Sequence, residues 1–181
     1  MLSELEHAVL GVVWLHKPCT PYRVRKVFRE SPSGHWSGSA GSIYPLMRRL
    51  EAKGLLRSAR RRRDLRAGRL YELAKRGRAE LVRWLEPPLP PASDLMNFDP
   101  LRVRIRFLGA SRPSRRPAMV AEAIESLRSL AAQIQSKADA DRAASDVFRM
   151  MSHRGALLSV RAQITWLKEV HQTLKFAEKA R

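Results

Sequence analysis

Apolar residues return every three or four positions through most of this chain, and give way to an alternating rhythm in two short stretches. Leu5, Ala8, Val9, Val12, Val13 and Leu15 supply a broad apolar face over residues 3–17, with Ser3 placed as a cap and Glu6 at capping-box spacing. Lys17-Pro18 ends this first helix, because the residue before proline is pushed out of the helical region. Thr20 caps a second helix with Pro21 in its first turn. That helix runs to about Glu30 on Tyr22, Val24, Val27 and Phe28, with Arg23, Arg25, Lys26 and Arg29 on its polar side. Residues 31–38 form a turn by composition, in which Trp36 reads as a lid over a small core and is assigned no function.

The pattern is clearest from Ser37 to Leu56. Ile43, Leu46, Met47 and Leu50 fall on one helical stripe, so Tyr44, Arg48 and Arg49 point the other way. Gly54 after Lys53 is a C-terminal stop, and Pro45 suits only the first turn; either Ser39 or Ser42 can cap. Leu55–Ala59 and Arg69–Leu73 then read as two strands of a hairpin, with Gly68 available for a positive φ in the turn. The connection holds Arg60, Arg61, Arg62, Arg63 and Arg66. A further helix spans Ala74–Leu85 on Leu73, Leu81, Val82 and Leu85, with Gly77 early in it and Trp84 packing at its end.

Glu86-Pro-Pro-Leu-Pro-Pro-Ala92 cannot be helical, since each proline removes a donor and fixes φ; it divides the chain. The expected units are residues 1–86, a linker at 87–94, and residues 95–181. In the second unit, 101–108 alternates apolar residues with Arg102, Arg104 and Arg106 and has the rhythm of a strand. Residues 116–139 place Val120, Ile124, Leu127, Ala131, Ile134 and Ala138 at spacings of three and four, and 152–178 repeat this with Leu157, Val160, Ile164, Leu167, His171 and Leu174. Such seams are too apolar for lone surface helices and predict a homodimer held by coiled-coil-like packing through Ile124, Leu127, Ile134, Leu157, Val160, Ile164, Leu167 and Leu174.

Charge changes the picture next. The chain carries a formal net charge of +18 and a pI near 11.4, which points to a polyanionic partner, with nucleic acid favoured over an anionic membrane. Because arginine outnumbers lysine 27 to 8, a chain-wide arginine bias contributes, and position has to decide. Residues 1–86 hold 19 Lys/Arg against 8 Asp/Glu, a net of +11, and the remaining 95 hold 16 against 9, a net of +7, so the excess is densest in the N-terminal half.

Ser-Ala-Gly-Ser-Ile-Tyr-Pro-Leu-Met-Arg-Arg-Leu-Glu-Ala-Lys-Gly-Leu-Leu, residues 39–56, resembles the recognition-helix signature of the PadR family of winged-helix transcriptional regulators. The serine, glycine, Ile-Tyr-Pro, Arg-Leu-Glu and Gly-Leu elements all fall at the family's spacing. Tyr22, Gly68-Arg69-Leu70-Tyr71 and Trp166-Leu167 extend the likeness, strongly over 37–56 and weakly beyond 92. Pro21 stands where the family has glycine, and the wing is more compact than the family's. The resemblance implies a mainly α fold: an N-terminal winged helix-turn-helix with a small β-hairpin wing, and a C-terminal helical dimerisation domain. It implies a helix at 101–108 and tips the cap toward Ser39.

By this resemblance the chain is a dimeric DNA-binding regulator, a repressor relieved by a small hydrophobic or aromatic effector, reading an inverted-repeat operator through the helix around residues 40–53 and the arginine-rich wing. The residues assigned to double-stranded DNA are Ser39, Ser42, Tyr44, Pro45, Arg48, Arg49, Tyr22, Arg60, Arg61, Arg62, Arg63, Arg66 and Arg69. Phe107, Phe148 and Trp166 are candidates for an effector pocket, although aromatics at helical spacing more often fill a core. The alternatives are a sequence-neutral, charge-driven nucleic-acid-binding protein and an interaction protein whose seams bind a partner helix.

No catalytic constellation, phosphate-binding glycine loop or metal-ligand spacing is present, and His16 with Cys19 is too weak a pair to propose a site; no enzyme activity, cofactor or metal is expected. One cysteine excludes an intramolecular disulfide. With no signal peptide and no apolar run long enough to span a membrane, the expected location is the cytoplasm.

Overall fold

A computed structural model describes residues 2–31, 36, 39–59, 69–88 and 99–179, and the chain divides into two compact units, 1–96 and 97–181. The described elements of the first unit are α1 (Glu4–Leu15), α2 (Pro21–Arg29), a 3₁₀ turn (Ser39–Ser42), α3 (Ile43–Ala52), β1 (Leu56–Ala59), β2 (Leu70–Leu73) and α4 (Lys75–Leu85). Those of the second are α5 (Pro100–Arg106), α6 (Arg116–Ala143) and α7 (Val147–Lys179), with short 3₁₀ turns at Leu108–Ala110 and Pro113–Arg115. The architecture is mainly helical with one antiparallel hairpin, and residues 101–106 are helix despite their alternation.

Local chemistry sets the boundaries. Ser3 and Glu6 close a reciprocal capping box on α1, and the Thr20 hydroxyl accepts from Arg23 N at 3.2 Å to start α2. Gly54 takes φ +69 and ends α3, a conformation that costs other residues steric strain. In the hairpin Leu56 pairs with Leu73 and Ser58 with Tyr71. Tyr71 also exchanges two backbone hydrogen bonds with Cys19 (3.0 and 2.8 Å), so the segment between α1 and α2 adds a one-residue bridge to the sheet.

The first unit closes over Val9, Leu10, Val13, Val24, Phe28, Ile43, Met47, Leu50, Tyr71 and Leu81, with Trp36 packed edge-on against Phe28. Several expected core positions lie outside it. Leu15, Val82 and Leu85 are exposed, because α1 and α4 each bury a narrow stripe and these residues stand beyond its ends or on its flank; Leu10 is fully buried instead. His7 is also buried. It stacks on Trp84 with ring centroids 5.2 Å apart, and Trp84 donates to Glu4.

In the second unit α6 and α7 pack along one another as an antiparallel pair closed by a tight turn in which Ser145 takes φ 57. Val120, Ile124 and Leu167 form one cluster and Ile134, Leu157 and Val160 another, with Leu127, Ile164 and Leu174 packed at their margins. The two seams therefore cover each other within one chain. Each stripe finds its apolar partner in the neighbouring helix, and of the eight residues Leu127, Ile164 and Leu174 keep partial exposure.

Candidate nucleic-acid interface

α3 is organised as two faces. Ile43, Met47 and Leu50 have no exposed surface and Leu46 is nearly as buried, whereas Tyr44, Pro45, Arg48 and Arg49 are exposed. Side chains four apart stand over one another on a helix, so Tyr44 and Arg48 share a ridge; Pro45 and Arg49 lie on its flank. Arg48 and Arg49 have no carboxylate partner among the described residues. Two guanidiniums are thus held out from a rigid, core-anchored helix.

Beside that ridge runs an open cleft of about 810 Å³, bounded by Tyr44 and Arg48 of α3, Thr20, Pro21 and Tyr22 at the start of α2, and Arg69 and Tyr71 of the hairpin. Tyr22, expected on both the apolar stripe and the DNA surface, is exposed and lines this cleft; Val24 and Phe28 anchor α2 without it. Arg69 comes from the wing base. The other wing arginines, Arg60, Arg61, Arg62, Arg63 and Arg66, lie outside the described residues.

Arg69 is held by a residue that the sequence pattern does not single out. Glu51, in the last turn of α3, accepts from Arg69 at 3.0 Å, from the Ser58 hydroxyl, and from the Tyr71 hydroxyl at 3.4 Å. Burial, and after it the Glu51 carboxylate, push the Tyr71 phenol above its ordinary value, so it stays protonated and can donate. A signal was present: Glu51 lies three residues after Arg48 on the ridge otherwise offered to an anion, so it had to have cationic or hydroxyl partners of its own.

The start of the helix is less direct than either proposed cap. α3 proper begins after Ser42, which makes no side-chain cap bond; its hydroxyl instead donates to the Ser39 carbonyl at 2.8 Å across the 3₁₀ turn. Ser39 opens that turn and is half-buried. Pro45 is the third residue of α3, where no intrahelical donor is lost.

Of the aromatic residues offered for an effector, Phe148 and Trp166 are not brought together within the chain. Phe107 and Phe148 are exposed, while Trp166 packs against the Val120–Ile124–Leu167 cluster. Phe148 and Trp166 lie on one continuous helix, where eighteen residues separate them by about 27 Å at roughly 1.5 Å per residue. Among the described residues no group of three or more His, Cys, Asp or Glu could hold a metal ion, and no helix is long and apolar enough to cross a membrane.

Comparison with known proteins gives one consistent result. The chain is 27% identical over 190 residues to the probable transcriptional regulator Rv1176c of Mycobacterium tuberculosis, covering 94% of this chain and 97% of that protein. Its fold is similar to Bacillus subtilis PadR in complex with operator DNA (TM-score 0.77, 19% identity, 95% of this chain and 99% of that one). The same PadR solved with p-coumaric acid matches at TM-score 0.72, 18% identity, and 94% and 95% coverage. The Vibrio cholerae virulence activator AphA matches at TM-score 0.72, 22% identity, and 96% and 99% coverage. Residues 9–83, from within α1 into α4, match the transcriptional regulator PadR-like family, to which this chain is similar over that stretch.

Proposed function

We propose that this chain is a PadR-like transcriptional regulator, a homodimer that reads an inverted-repeat operator in duplex DNA through Tyr44, Arg48 and Arg49 of α3, with Tyr22 and Arg69 beside them. The observation that carries the reading is the two-faced α3: one side is locked into the core, and the other presents two guanidiniums without carboxylate partners next to a cleft lined by Tyr22, Tyr44 and Arg69. The operator DNA in the Bacillus subtilis PadR structure supports it. In this reading residues 1–86 bind DNA, 87–94 link, and 95–181 dimerise, in the cytoplasm where such DNA lies. Half-sites should then lie about 10 bp apart, or a multiple of that.

Selection of bound duplexes from a random pool, followed by competition at physiological salt, tests this. Arg48→Ala should relax preference at one base pair per half-site by about 1–3 kcal/mol, whereas Tyr44→Phe should weaken all duplexes alike. Equal loss of specific and nonspecific binding in both variants would support the sequence-neutral reading instead.

For the dimer, the support is a second apolar stripe on α7 that α6 leaves open. Phe148, Met151, Gly155, Leu158 and Ala162 follow spacings of three and four, and Phe148 is 90% exposed. Leu158→Asp should yield a monomer by light scattering with helix content retained; a persisting dimer would remove this face from consideration.

We take the regulatory sign to be repression by occlusion of the operator, checked by a reporter whose output should rise when the protein is removed. For an effector, the support is the p-coumaric acid bound by the Bacillus subtilis protein. A ligand that both quenches Trp166 and shifts DNA affinity is required; quenching without linkage would fail it.

A further inference from the structure

The second unit begins with its own concentration of cations. From Asp99 to Arg116 the chain carries six arginines and a single carboxylate, and the next carboxylate is Glu122. That lone carboxylate is already engaged: Asp99 caps α5 through Leu101 N and Arg102 N, accepts from Gln163, and pairs with Arg102 at 3.7 Å. Arg116 is engaged as well, its guanidinium donating to the carbonyls of Gly109 and Ser111 and so fixing the turn between α5 and α6. Arg104, Arg106, Arg112 and Arg115 are left exposed, with no carboxylate partner among the described residues.

These four are carried on an anchored frame. Leu101, Ile105 and Leu108 pack into the Val120–Ile124–Leu167 cluster, so α5 is pinned by one stripe. Arg104 and Arg106 leave from the flanks of that stripe, and Arg112 and Arg115 bracket the 3₁₀ turn at Pro113–Arg115. Arg106 sits 6.0 Å over the Phe107 ring, an exposed planar pair. Four guanidiniums without carboxylate partners thus fall within twelve residues, and a polyanion with charges repeated along its length can neutralise several of them where a single acidic group cannot.

We propose that Arg104, Arg106, Arg112 and Arg115 form a second, sequence-neutral phosphate-binding surface through which the helical unit grips duplex DNA. The proposal rests on the DNA-binding reading above. A lipid surface fits less well, because α5 has only seven residues, its apolar stripe is consumed by the core, and only Val103 and Phe107 are left as exposed apolar groups.

The test uses the full-length protein with Arg104, Arg106, Arg112 and Arg115 changed to glutamine, a long duplex carrying the selected site, and the same duplex with that site scrambled. Removing one phosphate neutralisation should lower the slope of log affinity against log salt by about 0.9, so the quadruple variant should lose roughly 3–4 units of slope on both duplexes. Preference for the selected site should be unchanged. The doubles Arg104→Gln/Arg106→Gln and Arg112→Gln/Arg115→Gln should each lose about half as much, and they carry the test if the quadruple variant melts early. An unchanged slope on both duplexes overturns the proposal while leaving the reading of α3 intact. So does loss of binding to phosphatidylserine vesicles with duplex binding retained. A wild-type protein that binds no duplex at low salt overturns both.

Discussion

Glu51 Oε2 stands 3.0 Å from an Arg69 guanidinium nitrogen, joining the last turn of α3 to the residue just before β2. Arg69 is half-exposed, so the pair contributes little to stability, about 0–1 kcal/mol. Its effect is positional: Ser58 and Tyr71 meet the same carboxylate, and together they fix the wing base against α3.

The variant Glu51→Gln separates two effects of opposite sign. Removing an anion from the proposed DNA-facing surface should tighten binding to every duplex, while loosening Arg69 should reduce discrimination. Nonspecific affinity should therefore hold or rise, and the specific-to-nonspecific ratio should fall roughly fivefold, about 1 kcal/mol. Competition titrations measure the ratio; a ratio that rises would show that Glu51 does not position the wing.

Gly77→Ala should destabilise the first unit. An alanine Cβ at this position would lie 1.9 Å from the Leu55 carbonyl oxygen, which is backbone and already accepts from Ala74 N. α4 would have to move off the hairpin, at a cost of at least about 1–3 kcal/mol. Gly11→Ala is the matched control, since its Cβ would meet Leu81 Cδ1 at an ordinary 3.9 Å inside α1, and it should stabilise by about 0.5–1 kcal/mol. Thermal melts of the two variants should shift in opposite directions.

Acid should weaken the same unit through Glu6. Burial raises its carboxyl, but the Ser3 N–H and the Lys53 ammonium at 3.0 Å outweigh this and hold it below the usual carboxylate value. A depressed folded value stabilises above the unfolded value, and that stabilisation is lost as pH falls through the folded one. Glu80, lowered first by Arg83, adds to the same window. The gap in melting temperature between wild type and Glu6→Gln should narrow from about pH 5 to about pH 3. A constant gap would mean that Glu6 acts through packing alone.

Cys19 should be inert in the folded protein. Burial pushes its thiol up to about 11, only partly offset by Arg23, so almost no thiolate exists near neutral pH. Ellman's reagent at about pH 8 should react only as the unit unfolds, and reaction at a free thiol's full rate in the native state would contradict the burial.

The sequence was most informative where one local signal sufficed. Thr20 with Pro21, Ser3 with Glu6, and Gly54 after Lys53 mark helix ends through groups within a few residues of each other, and the stripe of α3 needs only its own periodicity. Positions settled by distant neighbours were harder to read. Leu15, Val82 and Leu85 are as apolar as Leu10 and Leu81, and which of them is buried depends on where another element crosses the helix. The seams of α6 and α7 were legible as seams, but periodicity cannot say whether a stripe meets its own chain or another copy. Nor could it show that Phe148 and Trp166 lie far apart on one uninterrupted helix.

The bridge between Cys19 and Tyr71 has a kinetic consequence. It joins residues 52 positions apart, and the intervening chain includes the whole helix-turn-helix and the hairpin connection. Closing so long a loop costs chain entropy before any interaction returns it. Helices can form early from local signals, whereas this rung waits for both ends of the loop to meet. The wing base should therefore gain its protection from hydrogen exchange only with the cooperative closure of the whole first unit, and lose it in the same step.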